Sequence, residues 1–166
     1  KELLDLFRQF PDICFHLEIH PALLSEELKQ ELSVLPKGLL HLEAGIQSLK
    51  ESVLQQSRRI GKLSDALEGL KYLCSLKNME THADLIAGLP LYHLSEIFED
   101  VRTLAEYGAG EIQLESLKLL PGTEMRRRAE ELGIQYSPLP PYEVLQTREI
   151  SVDELQTAHY LSRLLD

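Results

Sequence analysis

The chain has 166 residues with 43% apolar content, enough for one domain with a sizeable core. It carries 17 Lys and Arg against 27 Asp and Glu, a net charge of -10, which argues against a nucleic-acid surface because phosphate binding needs clustered cations. No apolar run approaches the roughly 20 residues of a membrane span and nothing resembles a signal peptide, so no nucleic acid and no membrane is expected as a partner, and a cytoplasmic location is expected.

The first ten residues, "KELLDLFRQF", predict a lone helix. "ICFHLEIH" (13–20) predicts a strand, followed by Pro21 and a helix around "SEELKQELSVL", with Ser25 as its cap and Leu28, Leu32 and Leu35 as its apolar stripe. "LLHLEAGIQS" (39–48) is a second strand leading into the helical "LKESVLQQSRR", where Ser48 and Glu51 stand at capping-box spacing. A further helix from Ser64 to Leu76 places Leu67, Leu70 and Cys74 on one side. "ETHADLIAGLP" (80–90) is a strand ended by Gly and Pro, and the next helix is expected from Ser95 as cap, with Ile97, Val101 and Leu104 inward and Gly108 closing it.

"EIQLESLKLL" (111–120) is the next strand, stopped by "PGT". "EMRRRAEELG" is a short helix in which Arg126 to Arg128, followed at once by "AEE", read as a solvated face. "IQYSPLPPYEVLQT" is an irregular excursion with one edge strand at "YEVL". A capping box at Ser151 and Glu154 opens the last helix, with Leu155, Ala158, Leu161 and Leu165 available for packing.

Strands alternating with helices imply parallel pairing through right-handed crossovers, hence an α/β sheet or barrel. The strands are unusual in having one polar face. His16, Glu18 and His20 lie opposite Phe15, Leu17 and Ile19; His41, Glu43 and Gln47 lie opposite Leu40, Leu42 and Ile46. His82 and Asp84 oppose Ala83 and Leu85, and Gln113 and Glu115 oppose Ile112 and Leu114. Sheets covered on both sides read as nearly continuous Val, Ile and Leu. Either these polar groups pair among themselves or face solvent, or they line a hollow that holds a ligand; four strands doing the same favours the hollow. Ligands of α/β folds sit at the carboxyl ends of strands, which singles out Glu18, Gln47 and Asp84.

The catalytic group is not legible. There is no GxGxxG, P-loop, HExxH or GxSxG, and the serines mostly fall at caps. His20 and His82 could act as acids, bases or metal ligands, but no His, Asp or Glu pair has a ligand spacing that assigns a metal. Cys14 and Cys74 have no CxxC spacing, so neither a disulfide framework nor a cysteine metal site is indicated, and Cys74 reads as a small buried hydrophobe.

In order, "FHLEIHP", "LLHLEAGIQSL", "SRR", "THADLIAGLP" and "LKLLPGTEM" resemble the later strands of the radical S-adenosylmethionine (SAM) enzyme core. The subset most resembled includes oxygen-independent coproporphyrinogen oxidases and Fe-S oxidoreductases with cobalamin-binding domains. The resemblance implies a partial (β/α) TIM-like barrel, here an open parallel sheet of about four strands backed by helices. It also implies an oxidoreductase that uses SAM and a 4Fe-4S cluster to generate a 5'-deoxyadenosyl radical, with cobalamin a candidate further cofactor. Carried over by motif position, Glu18, Gln47, Arg59 and Asp84 are the expected SAM-contacting residues.

The family's CxxxCxxC is missing, as is the glycine-rich segment after its second strand. Residues 1–166 are therefore expected to be the truncated C-terminal portion of such a domain, with core strands and helices in 13–125 and a C-terminal extension in 126–166, inactive by itself. The substrate is an unidentified small molecule. The unpaired edge of the first strand invites self-association. Two other readings stay open: a non-catalytic module that binds a small molecule or partner chain, and an unrelated barrel enzyme whose acids are Glu18, Glu43 and Glu115.

Overall fold

A computed structural model describes residues 1–165. The elements in order are α1 (Glu2–Phe7), β1 (Phe15–Ile19), a 3-10 turn (Pro21–Leu23), α2 (Glu26–Ser33), β2 (Leu40–Gln47), α3 (Glu51–Gln56), α4 (Leu63–Ser75) and β3 (Glu80–Ala87). There follow α5 (Leu94–Glu106), β4 (Glu111–Ser116), α6 (Glu124–Arg127), α7 (Ala129–Leu132), β5 (Gln135–Tyr136), β6 (Val144–Gln146) and α8 (Val152–Leu165). Strands β1 to β4 form one parallel sheet in sequence order, and β5 and β6 form a separate antiparallel pair. This is the α/β open sheet that the alternation of strands and helices dictates.

Side-chain alternation decides the two faces. Leu40, Leu42, Ala44 and Ile46 of β2, Ala83 and Leu85 of β3, and Ile112 and Leu114 of β4 are buried in one core with Leu70, Leu73, Ile97 and Leu104 of the helices. The opposite face carries His16, Glu18, His41, Glu43, His82, Asp84 and Gln113. Register aligns Glu18, Glu43, His82 and Glu111 in one row across the sheet, and Gly45, Asp84 and Gln113 in the next.

Several local expectations hold. The Ser25 hydroxyl accepts from Leu28 N at 3.2 Å, and Ser151 and Glu154 cap each other's backbone at 3.4 and 2.8 Å. The buried stripe of α4 is Ala66, Gly69, Leu70 and Leu73, a quarter turn from the predicted one, so Leu67 and Cys74 are only half-buried. Gly69 shows why: a Cβ there would lie 2.1 Å from the Pro21 carbonyl oxygen. Only a residue without one lets α4 back onto the turn that follows β1.

Four readings need correction. Ser48 does not cap α3, whose N-cap is Lys50; it is fully buried at the end of β2, with its hydroxyl 3.3 Å from Asp100. Ser95 lies inside α5, whose N-cap is His93, and Glu96 accepts from the His93 N–H at 3.0 Å. "EMRRRAEELG" breaks into α6 and α7, ended by Gly133 in the left-handed region. Arg126 is not a solvated charge: it donates to the Leu119 carbonyl and lies 5.1 and 4.7 Å from the rings of Tyr136 and Tyr142. Spacing alone cannot tell a cap from a buried strand-end serine, because both follow a strand and precede a helix.

Candidate functional site

The carboxyl-end half of the polar face closes into a cavity of about 290 Å³ lined by Glu18, Ile19, His20, Glu43, Gly45, Gln47, Arg59 and Asp84. All four residues singled out from the sequence are therefore brought together. Three come from neighbouring strands, and Arg59 reaches in from the loop between α3 and α4.

Gln47 arrives by a route that simple alternation does not describe. The β2–β3 register runs Gly45 to Asp84 and then Gln47 to Leu85, so two residues of β2 face one of β3. Gln47 itself has φ 74°, a left-handed conformation worth on the order of 1 kcal/mol of strain for a residue with a side chain. Such a bulge re-aims a side chain. It is held from behind, where Asp100 of α5 accepts hydrogen bonds from Leu49 N at 2.7 Å and Ser48 Oγ at 3.3 Å, immediately after Gln47.

The Arg59 guanidinium donates to the Gly45 carbonyl at 2.6 Å, its Nε has no partner, and it pairs with no carboxylate among the described residues. Burial lowers its pKa, partly offset by the charge of Asp84. Gly45 was not singled out from sequence, yet a Cβ there would come within 3.0 Å of the Arg59 guanidinium and 3.1 Å of Gln47 Nε2. The "AGIQ" glycine is the signal that marks this close approach.

Asp84 is 8% exposed and its Oδ1 accepts no hydrogen bond. Burial first, then the adjacent Glu43 carboxylate, pushes its pKa up to about 8. Burial works the same way on Glu43, but Asp84 and His16 outweigh it and hold Glu43 below the ordinary carboxylate range. Burial and mutual repulsion thus draw the proton of the pair toward Asp84 and leave the charge on Glu43. His20 has neither ring nitrogen partnered, and burial together with the Arg59 charge lowers its pKa. A cavity rimmed by a guanidinium anchored on the Gly45 carbonyl, with its Nε unpartnered, and by an orphaned carboxyl suits a ligand that carries both an anionic group and hydroxyl or ammonium donors.

No protein-family model and no curated protein sequence matches the chain. Solved structures do. Coproporphyrinogen III oxidase from Escherichia coli, a radical SAM enzyme, superposes with a TM-score of 0.64 at 19% identity, over 98% of this chain and 36% of that one. The radical SAM methyltransferase TsrM from Kitasatospora setae, with cobalamin and a [4Fe-4S] cluster bound, gives 0.62 at 15% identity, over 92% and 33%. Elp3 from Methanocaldococcus infernus gives 0.58 at 15% identity, over 72% and 28%.

This chain has the fold of the radical SAM enzymes. It spans about a third of the length of the first two structures it matches. Among the described residues, no helix is long and apolar enough to cross a membrane.

Proposed function

We propose that the chain is the C-terminal portion of a radical SAM domain, with 13–125 as barrel core and 126–166 as extension, and that Glu18, Gln47, Arg59 and Asp84 hold SAM. The observation that carries this reading is their convergence on one cavity around an orphaned Asp84 oxygen and an Arg59 guanidinium that has no carboxylate partner among the described residues. The residues fit SAM chemically. Arg59 matches its carboxylate, Glu18 and Asp84 accept from hydroxyl and ammonium groups, and Gln47 offers both donor and acceptor.

A 4Fe-4S cluster does not fit the residues present. Cys14 is exposed, Cys74 is half-buried with its thiol pKa raised by burial, and no third cysteine exists. The cluster thiolates would have to come from the longer parent, in which SAM is the source of a 5'-deoxyadenosyl radical for hydrogen abstraction from a small-molecule substrate. The contribution of these residues is to orient the bound ligand and to hold a proton at Asp84 next to it. Cobalamin belongs to the proposal as a cofactor of the parent, and the chain alone is proposed to be inactive. A reducing cytoplasmic setting suits two unpaired cysteines. The outer edge of β1 has no strand partner among the described residues, which supports self-association through it.

Equilibrium dialysis of the chain against SAM tests the site. Saturable binding is expected, weakened about 30-fold in Arg59→Ala, or about 2 kcal/mol for a lost charge-assisted pair. Absence of saturable binding, or binding indifferent to Arg59→Ala, overturns the site. For the parent, anaerobic reconstitution with iron and sulfide should yield 5'-deoxyadenosine. A cluster-loaded sample that makes none removes the enzyme and leaves a small-molecule binding module.

A further inference from the structure

At the strand-start end of the cavity three imidazoles crowd together, His82 in the row of Glu18 and Glu43 and His16 and His41 in the row below. The rings of His16 and His41 stack at 4.7 Å, and His82 meets them edge-on at 5.4 and 4.8 Å. They belong to β1, β2 and β3 and become neighbours only through strand register. His82 is 4% exposed, and its Nε2 is buried without a hydrogen-bond partner. Glu43 Oε2 lies 3.5 Å from that nitrogen and Asp84 Oδ1 3.6 Å, close enough for attraction but without a hydrogen bond. On the other side, His16 Nε2 is 3.0 Å from the same Glu43 oxygen.

The geometry points to a divalent transition-metal site, of the zinc class, formed by His16 Nε2, Glu43 Oε2 and His82 Nε2. These three atoms lie within 4.8 Å of one another. Ligands about 2.0–2.1 Å from a tetrahedral ion stand roughly 3.3 Å apart, and the separations of 3.0 and 3.5 Å bracket that value. Two imidazoles and one carboxylate are a donor set for zinc, iron(II) or cobalt(II), with a further position left open toward the hollow.

The tautomers agree with this assignment. His41 Nε2 and His82 Nδ1 are 2.8 Å apart. If His82 Nδ1–H donates to His41 Nε2, the lone pair of His82 sits on Nε2, where the ion would be. A ligating histidine held through its other nitrogen in this way is the usual supporting arrangement. A second grouping, His41, His82 and Glu111, shares His82. It would have to break the His41–His82 hydrogen bond, so the first grouping is the stronger.

The test uses the untagged chain, stripped with a chelator and titrated with cobalt(II) while its visible d–d bands are followed, then competed with zinc(II). One equivalent per chain is expected, displaced by zinc, with zinc raising the thermal midpoint. His16→Gln is the decisive variant, because this side chain is 53% exposed on an edge strand and its replacement leaves the core intact. It should weaken binding at least tenfold, as should Glu43→Gln, with circular dichroism unchanged. Glu111→Gln and the distant His159→Gln should bind as the parent chain does. Failure to bind one equivalent, binding unaffected by His16→Gln, or binding lost in Glu111→Gln overturns the assignment. Glu43 lines both sites, so His16→Gln, which lies outside the cavity lining, separates them: it should weaken metal binding and leave SAM dialysis unchanged.

Discussion

Two buried aspartates sit on opposite sides of the same sheet. Asp100, on the helical side, is 2% exposed and its Oδ2 accepts three hydrogen bonds, from Tyr92 Oη at 2.6 Å, Leu49 N at 2.7 Å and Ser48 Oγ at 3.3 Å, with Lys50 Nζ 3.7 Å from its Oδ1. Asp84, on the polar side, is 8% exposed, faces Glu43 and leaves one oxygen without a donor. Burial raises the pKa of both, but for Asp100 its hydrogen bonds to Tyr92 and Leu49 and the Lys50 charge oppose the rise. A buried carboxylate that gathers three donors and a cation holds structure together. One whose lone pairs are idle costs stability and is positioned for something that arrives later.

This contrast can be broken most directly by deletion. Asp100→Ala strands a buried tyrosine hydroxyl, a serine and a backbone N–H, and should lose about 3 kcal/mol or more in urea unfolding. Asp84→Ala should lose nothing or gain stability, because it removes a carboxyl that burial and Glu43 disfavour. Equal losses would erase the distinction. Because Asp100 fixes the bulge behind Gln47, its variant should also weaken SAM binding although it touches no part of the cavity.

The next effect is in pH. A carboxyl whose pKa rises on folding, from 3.8 to about 8, keeps the native state more protonated than the unfolded one across that window. Stability of the unliganded chain is thus fullest below the unfolded value and declines as pH rises through the folded value. A continuous decline between pH 4 and pH 8 is expected from this group. Asp84→Asn should flatten it. A parent chain with no decline over that interval would contradict the assigned state of Asp84.

The smallest effect sharpens the ligand side. Gly45→Ala places a methyl 3.0 Å from the Arg59 guanidinium and 3.1 Å from Gln47 Nε2. Displacing both by a few tenths of an ångström should weaken SAM binding about fivefold, or about 1 kcal/mol. Stability should move less than that, because the backbone there needs no left-handed conformation. Isothermal titration alongside thermal unfolding separates the two quantities.

Much of this was legible in the chain because a period of two is unambiguous. The alternation in "HLEAGIQ" and "THADLIA" assigns His41, Glu43, His82 and Asp84 to one face, and the register places them there. Gln47 was assigned to the same hollow but enters through a bulge, which alternation does not reveal. Ser48 and Ser95 were misread as caps because capping spacing is a short local pattern, and burial or a nearby alternative start to the helix overrides it. Arg126 was misread because the tyrosines it contacts lie 10 and 16 residues further on.

The sequence by itself determined the layer structure and the face most strand residues take, because each depends on local periodicity. Only the tertiary structure decided which carboxylate is satisfied and which is orphaned, how Gln47 is aimed, and that His16, Glu43 and His82 meet. Those outcomes depend on the register between strands about 25 to 40 residues apart in the chain. Register is fixed by the packing of the whole sheet against its helices.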